Sequence, residues 1–106
     1  MNDPWKYQYL IRLSYLGFRY SGWQIQPGQK TVEGMLVKTL KYVLGDQPFK
    51  TLASGRTDAK VSSLSGACSL WLTQPLTGEI SYWIEWINRN TPQDLKVESI
   101  TEVPID

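Results

Sequence analysis

A chain of 106 residues, 42% apolar and 20% charged, has the length of one domain and the balance of a soluble globular protein, able to bury roughly two thirds of its unfolded surface. It contains no histidine and one cysteine, which excludes an internal disulfide and the common histidine-dependent catalytic and metal constellations. The formal net charge of +1 is unevenly spread: residues 1 to 60 hold nine Lys/Arg against four Asp/Glu, and residues 61 to 106 hold two against six, so an edge that binds a polyanion belongs in the first half.

No apolar run approaches the ~18 residues of a membrane span. The opening Met-Asn-Asp-Pro-Trp-Lys lacks the apolar centre of a signal peptide, and the expectation is a cytoplasmic protein without a membrane partner. Cys68 is expected to be a small buried hydrophobe in a strand.

From Lys6 to Tyr15 the side chains alternate, with Tyr7, Tyr9, Ile11, Leu13 and Tyr15 on one face and Gln8, Leu10, Arg12 and Ser14 on the other, the pattern of a strand with one buried face. Leu16 to Lys30 is a long connection with Gly17, Gly22, Pro27 and Gly28, too aromatic in Phe18, Tyr20 and Trp23 for simple disorder. Thr31 can cap a helix that places Val32, Leu36, Leu40 and Val43 on one side, stops at Gly45 and leaves Lys38 and Lys41 solvated. Two short strands follow, one from about Phe49 to Ser54 and one from about Ala67 to Thr73.

After Pro75, Thr77 or Gly78 is expected to open a second helix, with Ile80, Trp83, Ile84 and Ile87 facing the core and an end near Asn90. Leu95 to Val103 reads as a last strand with a bulge near Ser99 or Ile100. The order βαββαβ predicts an α+β, ferredoxin-like split βαβ domain, an antiparallel sheet with both helices on one face. Its other face needs a cover, for which RNA, a partner sheet and a second domain all qualify.

Between the second and third strands lies Gly55-Arg56-Thr57-Asp58-Ala59, the one place where an arginine and a carboxylate stand one residue apart beside a glycine. An aspartate after Gly-Arg-Thr has a plain structural reading as an Asx turn. It also has a chemical one, since Arg56 can keep Asp58 ionised.

Three segments, Tyr15 to Pro27 with its Gly-Trp-Gln-Ile-Gln core, Thr31-Val32-Glu33-Gly34, and Gly55-Arg56-Thr57-Asp58-Ala59, resemble in order and spacing the TruA family of tRNA pseudouridine synthases. The run from Asn88 to Val97 looks like the family's approach to the last strand of its first half. Leu16 stands where the family usually has an acid, Lys60 where it usually has glycine and Ser62 where it usually has histidine.

The resemblance implies that the chain is the N-terminal, catalytic-loop half of a longer enzyme, inactive as a fragment and homodimeric at full length. The implied reaction is uridine-to-pseudouridine isomerisation in the tRNA anticodon stem-loop, without cofactor or metal. By resemblance Asp58 is the catalytic carboxylate, acting as nucleophile or as base, and Arg56 fills the space left by the flipped base. Arg19, Trp23, Gln24 and Gln26 are the implied RNA contacts, with Lys60 adding a phosphate contact; for Trp23, packing of the loop on itself is an equal reading.

Two other readings compete. A noncatalytic RNA-binding module shares the βαββαβ order, but Ser65-Gly66-Ala67-Cys68-Ser69-Leu70-Trp71-Leu72 lacks the aromatic signature of the common type. A ferredoxin-like assembly domain leaves Arg56 and Asp58 without a purpose.

Overall fold

A computed structural model describes residues 4–16, 28–54 and 64–105. Six elements follow in the order β1 (Tyr7–Tyr15), α1 (Val32–Leu44), β2 (Phe49–Ser54), β3 (Leu64–Leu72), α2 (Ile80–Asn90) and β4 (Leu95–Val103). The strands form one sheet in the order β2-β3-β1-β4 with every neighbouring pair antiparallel. This is the α+β, ferredoxin-like arrangement expected from the sequence.

The alternation of β1 is borne out: Tyr9, Ile11, Leu13 and Tyr15 are buried while Arg12 between them is exposed. Cross-strand register continues the buried face, since Tyr9 lies opposite Leu70, Ile11 opposite Cys68 and Ile100, and Leu13 opposite Val97. Leu36, Leu40 and Val43 of α1 and Ile87 of α2 close over the same cluster, with Trp83 and Ile84 packed at its margin. Burial of these apolar stripes is the main stabilising term, because a short helix is marginal alone.

Local chemistry sets the start and stop of α1. The Thr31 Oγ1 accepts a hydrogen bond from Gly34 N at 3.1 Å, satisfying one of the first-turn amides that the helix leaves unpaired. Gly45 ends the helix at φ 65°, a left-handed value that only glycine adopts cheaply.

Three boundaries differ from expectation. The strand expected over residues 67–73 runs from Leu64 to Leu72, because Leu64, Ser65 and Gly66 pair with Tyr15, Ser14 and Leu13, and that pairing overrides the weak strand preference of serine and glycine. Helix α2 opens at Ile80 rather than at 77 or 78, since Gly78 holds φ 78° and cannot sit inside a right-handed helix turn. The β4 bulge sits at Glu98: Val97 pairs with Leu13 and Ser99 with Arg12, so one residue is left over and the inward phase moves to Ile100.

Cys68 is a buried strand residue as expected. Burial, with Glu33 adding a smaller repulsion, pushes its thiol up from 9.0 to about 12, so the neutral form is favoured in the fold. The contribution to stability is complete below pH 9 and is lost as pH rises toward 12. Accordingly, a thiol reagent at pH 8 is expected to leave folded protein unlabelled and to label it stoichiometrically in urea; rapid labelling without denaturant would contradict the burial.

Candidate functional site

One end of the sheet gathers the described residues that flank the segments the sequence marks for chemistry. Leu64 opening β3, Tyr15 closing β1 and Leu95 opening β4 lie side by side in register. Ser54, the last residue of β2, pairs with Ala67, about 10 Å along β3 from Leu64 at the usual rise per residue. The flanks of residues 17–27 and of residues 55–63 therefore belong to this same end. Asp58, Arg56 and Lys60 fall within 55–63, and Arg19, Trp23, Gln24 and Gln26 within 17–27, so all seven lie outside the described residues, as does Ser62.

The frame around those segments is tied by contacts far apart in sequence. The backbone carbonyl of Asp94 accepts from Leu16 N at 3.0 Å, and its carboxylate accepts from Lys30 Nζ at 3.4 Å. One residue thus holds both sides of the 17–27 stretch. Asn88 secures the β4 start from below, its Oδ1 accepting from Val97 N at 2.7 Å and its Nδ2 donating to Val97 O at 2.9 Å.

Glu33 fixes α1 against β2. Its Oε2 accepts from the Thr51 Oγ1 at 2.9 Å although the side chain is buried; a carboxylate in the first helical turn is favoured by the helix dipole. These tethers escaped the sequence reading. Lys30 and Asp94 are separated by 64 positions, a pairing that no local rule supplies.

Among the described residues, no element covers the face of the sheet away from the helices. Alternation places Gln8, Leu10, Arg12 and Ser14 of β1 on it, and register adds Lys50 and Leu52 of β2 with Trp71 of β3. Leu52 is 55% exposed, and Lys50 Nζ stands 5.1 Å from the centroid of the Trp71 ring, within cation–π range. Among the described residues no three His, Cys, Asp or Glu side chains lie close enough to hold a metal ion, and no helix is long and apolar enough to cross a membrane.

No protein-family model matches the chain. Over 96 residues it is 34% identical to a tRNA pseudouridine synthase A of Lysinibacillus sphaericus, a match that covers 91% of this chain and 38% of that protein. By sequence, the chain is a relative of tRNA pseudouridine synthase A. Proteins of that name from Rippkaea orientalis, 32% identical over 100 residues, and Polaromonas naphthalenivorans, 36% identical over 94, cover 94% and 89% of the chain. The chain spans little more than a third of the length of these tRNA pseudouridine synthase A relatives, between 33% and 38%. A match of 96 residues within 106 must include positions 11 to 96. The similarity to tRNA pseudouridine synthase A therefore runs through both 17–27 and 55–63.

Proposed function

We propose that this chain is the catalytic-aspartate segment, the N-terminal half, of a tRNA pseudouridine synthase, an RNA isomerase that converts uridine to pseudouridine. The observation that carries the reading is the match to tRNA pseudouridine synthase A through both motif-bearing stretches. The gathering of their flanks at one end of the sheet supports it.

The reaction breaks the bond from uracil N1 to ribose C1′, turns the base, and joins C5 to C1′; a proton leaves C5 and N1 gains one, so nothing is oxidised and nothing is lost. It requires one carboxylate at C1′ or the base, as nucleophile or as base, and Asp58 is assigned to it. Arg56 keeps that carboxylate ionised and fills the space of the flipped base. Arg19, Trp23, Gln24, Gln26 and Lys60 are assigned to RNA contact, with amide and guanidinium donors suited to phosphates and unstacked bases. The reading includes a cytoplasmic homodimer acting on the tRNA anticodon stem-loop without cofactor.

The test is to incubate the whole protein with unmodified tRNA transcript in the presence of EDTA and map pseudouridine by carbodiimide labelling. Conversion of anticodon stem-loop uridines, undiminished by the chelator, is expected. Transcript that is bound but retains only uridine would leave the noncatalytic RNA-binding reading in its place.

A further inference from the structure

Asp94 stands directly before β4 and is assigned no step of the isomerisation, yet both flanks of 17–27 are fastened to it. We propose that Asp94 is a positioning residue for the reaction, its ion pair with Lys30 holding those flanks at the spacing that engagement of tRNA requires. This rests on the reading above in that the substrate is tRNA and residues within 17–27 contact it.

The two fastenings differ in kind. The Asp94 backbone carbonyl accepts from Leu16 N at 3.0 Å, a bond that any residue at this position could offer. The carboxylate Oδ2 lies 3.4 Å from Lys30 Nζ, and that contact requires an acid. Ordinary surface ion pairs contribute little, because water screens both partners. Here the screening is one-sided, with the Asp94 side chain 11% exposed and that of Lys30 45% exposed. A carboxylate withdrawn that far from water is costly to leave without compensation, and the lysine meets it there.

Each anchor is itself secured. Asp94 lies within a turn that Leu95 N closes on Pro92 O at 3.1 Å, and Leu95 is buried opposite Tyr15. Lys30 precedes Thr31, the buried cap of α1. The start of α1 is thereby held toward both edges of the sheet, by Glu33 on Thr51 of β2 and by Lys30 on Asp94 beside β4. A chain stretch fixed at both flanks has less freedom left to lose when it binds, and affinity rises accordingly.

Charge alone predicts the opposite outcome. Asp94→Asn makes the protein one unit more positive and releases Lys30 from its ion pair, and both changes favour a polyanion. A pair that merely decorated the surface would, on removal, give tighter tRNA binding with a steeper salt dependence. A pair that positions the flanks gives weaker binding.

The experiment compares the whole protein with Asp94→Asn, Lys30→Met, the double variant and Lys30→Arg. It measures Kd for unmodified tRNA transcript across a range of KCl concentrations, KM and kcat for pseudouridine formation, and the urea midpoint. Asp94→Asn and Lys30→Met are each expected to raise Kd and KM about three- to tenfold at nearly unchanged kcat, within the usual coupling of contacting groups. The urea midpoint of Asp94→Asn stays near wild type, since no buried charge is left behind. The double variant loses no more than the worse single one, because either substitution dissolves the pair. Lys30→Arg keeps the cation and most of the affinity.

Tighter or unchanged tRNA binding by Asp94→Asn would overturn the proposal. Additive losses in the double variant would do the same, by making Lys30 an independent phosphate contact. So would a lowered urea midpoint and active fraction in Asp94→Asn at unchanged KM, the result of a merely structural role. Wild-type protein that binds tRNA but makes no pseudouridine refutes the proposed activity and leaves the Asp94→Asn affinity to decide the positioning role; wild-type protein that does not bind tRNA ends both.

Discussion

Asp58→Asn is expected to lower pseudouridine formation by the whole protein by about 10³-fold or more, while binding of tRNA transcript changes little. Asparagine has nearly the size and shape of aspartate, so the substitution removes the charge and the basic oxygen and little else. Loss of a group acting as nucleophile or as base costs two to four orders of magnitude. Asp58→Glu makes the complementary test. It keeps the carboxylate but displaces it by a methylene, and a misplacement near 1 Å costs about 10²-fold. Graded loss, asparagine below glutamate below aspartate, is the signature of a reacting carboxylate. Undiminished turnover in Asp58→Asn would return the residue to its structural reading as a turn former.

The parts of the fold that were legible in the sequence are those set by local chemistry. Thr31 and Gly45 bracket α1 because a hydroxyl cap and a left-handed glycine act within one turn. Tyr9 to Tyr15 could be read because a two-residue period has one meaning on a half-buried strand. The start of β3 was illegible, since Ser65 and Gly66 become strand only by lying against Ser14 and Leu13. Gly78 was misread because composition does not disclose the sign of φ.

The candidate site divides along the same line. Its motifs could be read as strings, and the similarity to tRNA pseudouridine synthase A runs through the stretches that contain them. The frame could not be read. The double tether from Asp94 to Leu16 and Lys30 joins residues that no periodicity relates. Alternation alone put Arg12 on the outer face, whereas the small residues Ala67 and Ser99 across from it are supplied by register.

Leu70→Ala is expected to destabilise the domain by about 2–5 kcal/mol, read as a fall in the urea midpoint at unchanged slope. Leu70 is 1% exposed and lies on β3 between Tyr9 of β1 and Thr51 of β2, under the cluster closed by α1. Domains of this size are stable by roughly 5–15 kcal/mol in all, so one truncation removes much of the margin. Leu52→Ala provides the control. Its leucine pairs with Ser69, the residue next to Leu70 in sequence, and points to the open face at 55% exposure; its truncation should stay within about 0.5 kcal/mol. Leu70 on β3 and Leu52 on the neighbouring β2 thus report on the two faces of the sheet, and equal losses from the two leucines would mean that the open face is buried. Activity should fall with Leu70→Ala only as far as the folded fraction falls, because β3 carries the first residue after 55–63 and supports the site by keeping Leu64 in register with Tyr15. A loss of turnover well beyond the unfolded fraction would show instead that β3 governs the geometry of the reacting groups while the domain remains folded.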